Sequence, residues 1–149
     1  MMVMSRAFKL ATWISLAGWA VLFGFPLWPH AGSSIVFSVA VILLCAMYGY
    51  FLFLGKRHDE PGTKIKGSFF SLRGVIELFK SPRAVLAGWI HYLAFDLMVG
   101  LYIVTDAVHY SISHWLLLPV LFMTLMFGPI GLLLYVALRF FVVSGALML

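Results

Sequence analysis

The sequence has very little charge for its length. Only 10% of its 149 residues are Asp, Glu, Lys or Arg, while 64% are hydrophobic. The mean hydropathy is +1.08. A soluble globular domain is normally about 25% charged. The composition therefore argues against a soluble protein and predicts one integral membrane domain over residues 1–149.

Cysteine and strand-like alternation are also scarce. The only cysteine, Cys45, lies in an apolar run and cannot form an internal disulfide. No alternation of apolar and polar residues, typical of membrane strands, is visible. The apolar residues instead form long runs at about 8–28, 34–54, 84–105 and 115–138. Each approaches or exceeds the ~20 residues that a spanning helix needs, so the pattern predicts an all-α, four-helix transmembrane bundle. The first run is too long for a signal peptide and is predicted to stay as a helix.

Basic residues are absent from the connections on one side of this bundle. All ten fall on the other side: Arg6, Lys9, Lys56, Arg57, Lys64, Lys66, Arg73, Lys80, Arg83 and Arg139. The positive-inside rule places that side in the cytoplasm, which predicts an N-in/C-in topology with a cytoplasmic connection over 55–83. The pI near 9.6 then reflects orientation and attraction to anionic lipid, and predicts no nucleic-acid partner.

The cytoplasmic connection has two parts. Residues 56–68 are polar and contain Pro and Gly, as in a linker. Residues 69–79, FFSLRGVIELF, place their apolar side chains on one helical face. This pattern predicts a short interfacial helix before the third span, although a helix packed beneath the bundle would show the same stripe. Ser81 and Pro82 then suit the start of the third helix.

The third run contains the stretch WIHYLAFDLMVG, residues 89–100, with two ionisable side chains. Asp96 is near the centre of the span, where an Asp costs roughly 2.5–3.5 kcal/mol on insertion scales. An ionisable residue at that depth is a functional-site hypothesis. His91 and Asp96 are about 140° apart on an ideal helix, whereas Tyr92 shares the face of Asp96. The alternative is structural: both residues only link helices by hydrogen bonds.

One further cluster lies nearer the opposite side, and one further feature interrupts the fourth run. His30, Asp106, His109 and His114 are weak candidates for metal ligands, but they lack a tight ligand motif and no metal is predicted. The run FGPIG, residues 127–131, interrupts the fourth apolar run. Pro129 predicts either a kink or a broken helix that lines a cavity.

Two runs together resemble a known family. SLRGVIELFKSPRAVLAGWIHYLAFDLMVGLYIVTDA (71–107) and FGPIGLLLYVALR (127–139) are similar to the abscisic-acid-deficient-four-like family of small four-helix membrane proteins. The resemblance covers about residues 65–140, and the first two runs match only in hydrophobicity. Its plant member acts in neoxanthin formation from violaxanthin, where an epoxide becomes an allene.

The resemblance implies a cofactor-free acid–base isomerase acting on a carotenoid or another isoprenoid lipid. Its candidate catalytic residues are Asp96, His91 and Tyr92, since such a reaction needs an acid for oxygen and a base for a carbon-bound proton. The expected partner is a membrane lipid or polyene, in a bacterial inner membrane, with a homo-oligomer left open. The alternatives are a non-catalytic lipid- or pigment-binding protein, an assembly partner of another membrane enzyme, and, more weakly, a proton relay through Asp96.

Overall fold

The computed structural model describes residues 2–28, 31–59 and 67–145, which form six helices and no strand. The all-α prediction is therefore confirmed for these residues. The helices are α1 (Met2–Phe23), α2 (Ala31–His58), α3 (Leu72–Leu78), α4 (Pro82–His109), α5 (His114–Phe127) and α6 (Pro129–Val143). Within α2, the segments Val36–Val41 and Tyr50–Leu54 are π-helical, and a 3₁₀ turn, Phe25–Leu27, follows α1.

Two of these helices, α2 and α4, are long and apolar enough to cross a membrane. Each has 28 residues, against the ~20 needed to span the hydrocarbon core. The predicted spans 34–54 and 84–105 lie inside them. The structure thus supports these two spans by length and composition.

Small residues bring α1, α2 and α4 close together. A Cβ on Gly18 would lie 2.8 Å from a methyl group of Leu97 and 3.3 Å from the Cβ of Ala40. One turn further along α4, a Cβ on Gly100 would lie 2.7 Å from the Trp19 ring. Backbones that approach this closely gain packing contacts, which is how helices associate in lipid. These contacts fix α4 at the centre of the fold.

The start of α4 is joined to the end of α2 by Arg83. Its Nε donates to Asp59 Oδ1 at 3.0 Å, and its Nη1 donates to the carbonyl of Phe51 at 3.0 Å. As expected, Ser81 occupies the N-cap position and Pro82 the first turn. The Ser81 hydroxyl nevertheless makes no capping bond and is buried without a partner among the described residues. The hydrogen bonds of Arg83 link the start of α4 to the end of α2.

The predicted interfacial segment contains α3. Ser71 caps it by accepting from the Gly74 amide at 3.1 Å, and none of its residues is buried. The apolar side chains around it, including Phe70 and Leu72, are exposed by 99% and 78%. A helix packed beneath the bundle would bury such side chains, so their exposure favours the interfacial alternative.

The fourth run does not form the single helix predicted over 115–138. The chain breaks at Gly128, which has φ 35° and ψ −86°, and α6 begins with Pro129. Proline has no amide hydrogen to continue α5, and a positive φ is open mainly to glycine. A Cβ on Gly131 would overlap Thr124, so the two helices pack tightly against each other. Of the two readings of Pro129, the broken helix is the observed one. We call α5, Gly128 and α6 the helical hairpin.

The hairpin returns towards the end of α4 that is distant from Arg83. Arg139 on α6 lies 3.2 Å from Asp106 Oδ2 and donates to the Tyr110 hydroxyl at 2.7 Å. Asp106 is 23 residues after Arg83 on the same helix. Arg139 thus lies at the end of α4 opposite Arg83, so the structure does not confirm the prediction that it shares a side with the other basic residues, which assumed one uninterrupted fourth helix.

Candidate functional site

The Asp96 carboxylate is enclosed where α4 meets the turn of the hairpin. Asp96 is near the midpoint of α4 and is 7% exposed. A Cβ on Gly128 would overlap its Oδ1, so a larger residue at this position would have to displace the carboxylate. Its Oδ2 is buried and has no hydrogen-bond partner among the described residues. An unsatisfied buried carboxylate oxygen costs free energy, and such sites cluster where chemistry is performed.

Tyr92 faces the same turn from one helical turn earlier in α4. Its hydroxyl donates to the carbonyls of Met126 and Leu125 at 3.2 and 3.4 Å. These carbonyls are in the last turn of α5, where no further helical amide is available to them. The prediction that Tyr92 and Asp96 share a face is consistent with these contacts, since both meet the hairpin near its tip.

A cavity of about 700 Å³ lies beside Tyr92, next to the last turn of α5 that precedes the hairpin tip. We call it the Tyr92 cavity. Its walls are apolar side chains of α1, α4 and α5, such as Leu16, Val85 and Leu125. The size falls in the range of about 300–1,000 Å³ found for small-molecule sites. Tyr92 lines this cavity, whereas Asp96, one helical turn further along α4, does not.

Few polar groups reach this cavity, and one of them is unpaired. Trp89 Nε1 donates to Thr12 Oγ1 at 3.4 Å across the gap between α4 and α1. Ser15 lines the cavity and is 1% exposed, and its Oγ has no partner among the described residues. A ligand that carries one oxygen on an apolar skeleton would match this lining.

His91 lies on a different face of α4. Its ring stacks on Phe95 with centroids 4.4 Å apart and packs against Tyr48 of α2 at 5.6 Å. It lines a second cavity, of about 470 Å³, which we call the His91 cavity. The angular separation predicted for His91 and Asp96 thus places them in different surroundings. Phe79 borders both cavities, and a Cβ on Gly88 would lie 2.8 Å from its ring.

The weak metal candidates are not brought together. Asp106 accepts from the Tyr135 hydroxyl at 2.5 Å and pairs with Arg139, while His114 Nε2 lies 2.9 Å from the Phe23 carbonyl. His109 packs edge-on against Tyr110. His30 lies outside the described residues. Among the residues that are described, no group of three His, Cys, Asp or Glu side chains is placed to hold a metal ion.

The sequence indicated Gly128 as an interruption of the fourth run, but it predicted neither the contact of Gly128 with Asp96 nor the network that joins α6 to α4, here called the outer network. The network joins Asp106, Tyr135, Arg139 and Tyr110. The signal for Gly128 was the Gly-Pro pair in mid-run, since this pair punctuates helices. No comparable signal existed for the network, because Asp106 and Arg139 meet only once the chain reverses at Gly128.

The chain is thus an all-helical protein with helices suited to a membrane and an enclosed carboxylate at the tip of a helical hairpin. The family model ABA4-like, described as ABA DEFICIENT 4-like, matches residues 6–135, and the chain belongs to this family. The match begins at residue 6 and so includes α1 and α2 as well as the runs that carry the resemblance. No curated protein and no solved structure matches the chain significantly.

Proposed function

We propose that this protein is a membrane-embedded acid–base isomerase that acts on a carotenoid or another oxygen-bearing isoprenoid lipid in the Tyr92 cavity. The observation that carries the proposal is the buried, unpaired carboxylate oxygen of Asp96, one helical turn from Tyr92, which lines an apolar cavity of about 700 Å³. Family membership supports the substrate class, because the plant member acts on a carotenoid.

The chemistry needs one proton donor and one proton acceptor. Opening an epoxide breaks a carbon–oxygen bond and puts a proton on that oxygen, and a base removes a proton from carbon, so no net oxidation occurs. Tyr92 is the hydroxyl at the cavity wall: it gives its proton to the substrate oxygen, and its phenolate then takes the proton that leaves carbon, so Tyr92 ends the reaction as it began. Asp96, one helical turn further along α4, exchanges protons with Tyr92 between these two steps. The proposal gives His91 no part in this step, because its ring faces the other cavity.

Replacement of Asp96 by Asn tests this proposal. Asn keeps the shape of the side chain and replaces the carboxyl group with an amide that neither donates nor accepts a proton in acid–base catalysis. In cells that make epoxy-carotenoids, the wild-type protein should change the pigment profile, and the variant should lose that change by about 10²–10⁴-fold in rate. Pigment extracts are compared at equal membrane abundance of the two proteins. An identical profile with both proteins contradicts the acid–base role of Asp96.

A binding function without catalysis is the second candidate. It is favoured by the absence of Asp96 from the wall of the Tyr92 cavity. In that case Ser15 and Tyr92 would orient a lipid or pigment that leaves unchanged. The same experiment separates the candidates: a polyene that co-purifies unaltered, with the wild type and with Asp96→Asn alike, supports binding alone.

The proposal includes placement in a membrane with the hairpin inserted halfway. The apolar helices α2 and α4 support it, as do bulky apolar side chains on the surface, such as Trp13 and Leu133, exposed by 70% and 69%. A half-inserted hairpin puts the end of α6 on the side opposite the start of α1.

Cysteine labelling tests this topology in a Cys45→Ser background. Ser5→Cys at the start of α1 and Ser144→Cys after α6 are both at exposed positions. An impermeant maleimide applied from one side of sealed vesicles should label only one of them. Labelling of both from the same side would instead support the uninterrupted fourth span.

A further inference from the structure

His91 is a polar side chain without a polar partner. Its ring lies against Phe95 and Tyr48, and it makes no hydrogen bond to the residues that the structure describes. It follows Pro82 by nine residues, about 13 Å along α4. An imidazole N–H in apolar surroundings loses free energy unless an acceptor reaches it. Because the ring is exposed to the His91 cavity, that acceptor can come from a ligand.

The cavity around His91 has the form of a chain-binding groove. Its volume is about 470 Å³, and its walls include Leu52, Ala87 and Gly88. Phe69 and Phe79, which precede and follow α3 in the sequence, also line the cavity. The exposed apolar face of α3 suits the membrane surface. The groove therefore runs from that surface towards the interior along α4.

The cations near this groove differ in whether a carboxylate lies next to them. Lys80 is 2.6 Å from Glu77, and Arg83 is held by Asp59. Lys56, at the end of α2, also lines the groove. It is exposed and has no carboxylate within 4.0 Å among the described residues. Among the described residues that line the groove, Lys56 is thus the cation that remains available to an anion.

We propose that the His91 cavity binds an anionic glycerophospholipid. Lys56 pairs with the phosphate, His91 donates to an ester carbonyl, and an acyl chain lies along Leu52, Ala87 and Gly88. Side chains on a helix lean towards its N-terminus, so the His91 ring reaches back towards the Lys56 end of the groove. This site rests on the membrane placement proposed above but not on any activity of Asp96.

Native mass spectrometry of the full chain in detergent tests the proposal. The protein is titrated with phosphatidylglycerol and, separately, with phosphatidylcholine. Lys56→Gln should weaken phosphatidylglycerol binding about fivefold, since one Lys near a membrane surface contributes about that factor. It should weaken the phosphatidylcholine binding by a smaller factor, because the choline cation offsets the charge of that phosphate. His91→Phe keeps an aromatic ring between Phe95 and Tyr48 and should weaken binding of both lipids about fivefold, through one lost hydrogen bond.

Matched controls carry the same changes elsewhere. Lys9→Gln on α1 removes a charge, and His109→Phe removes an imidazole packed on Tyr110; both should bind like the wild type. Inorganic phosphate should not displace the lipid, because it fills none of the apolar groove. Equal lipid binding by all variants, equal loss in the controls, or displacement by phosphate alone would overturn the proposal.

Discussion

Two aspartates on α4 face the helical hairpin, and their surroundings differ. Asp106 accepts from the Tyr135 hydroxyl at 2.5 Å and pairs with Arg139 at 3.2 Å. Asp96, ten residues earlier, is 7% exposed and leaves Oδ2 without a partner among the described residues. Asp106 therefore has the contacts of a structural residue that holds α6 against α4. Asp96 carries the cost of burial without that compensation, which fits a role in chemistry.

Among the substitutions that test this comparison, the one at Gly128, the tip of the hairpin, should have the largest effect on stability. Gly128→Ala would force a Cβ onto Asp96 Oδ1 at a residue with φ 35°. Backbone strain and overpacking together should destabilise the protein by about 3 kcal/mol. The measurement is thermal unfolding in detergent.

Gly145→Ala is the matched control for the tip. Gly145 also has a positive φ, 72°, but nothing lies within 4 Å of its added Cβ. It should cost only the strain, about 1 kcal/mol. Adding Asp96→Ala to Gly128→Ala should recover part of the loss by removing the overlap. A double variant no more stable than Gly128→Ala would show that Asp96 does not press on the turn.

The two aspartates should respond oppositely to the same substitution. Asp106→Asn weakens two contacts with charged or hydroxyl partners and should cost about 1.5–3 kcal/mol of unfolding free energy. Asp96→Asn removes an unpaired carboxylate and should leave stability unchanged or higher, while activity is lost. Unfolding in detergent and pigment conversion are measured on both variants. Equal destabilisation of the two variants would contradict the assignment of Asp106 to structure and Asp96 to chemistry.

The sequence predicted the helical class and the face that Asp96 shares with Tyr92 because both depend on local periodicity. It also predicted that His91 points elsewhere, since 100° per residue fixes that angle within one helix. The hairpin was harder to predict. Hydropathy alone does not distinguish one long apolar helix from α5 and α6, which have 14 and 15 residues.

Long-range partners could not be predicted for a related reason. Arg139 was assigned to the cytoplasmic side by counting charges along an assumed fourth span. Its actual partners, Asp106 and Tyr110, are 33 and 29 residues earlier, and no local pattern joins them. The backbone conformation of Gly128 decides which end Arg139 reaches. The contacts of Arg139 could therefore be predicted only if the chain reversal at Gly128 was predicted first.

Tyr135 and Tyr92 allow a further test of the difference between the surroundings of Asp106 and those of Asp96. Tyr135 is fully buried and bonds to Asp106 at 2.5 Å, whereas Tyr92 makes longer bonds, of 3.2 and 3.4 Å, to backbone carbonyls. Tyr135→Phe should cost about 1.5–3 kcal/mol, the range for a hydrogen bond to a charged group, and leave pigment conversion intact. Tyr92→Phe should cost less than about half of that because its bonds are long, yet it should reduce conversion. If Tyr135→Phe impaired conversion while Tyr92→Phe did not, the outer network and not the Tyr92 cavity would be the seat of the chemistry.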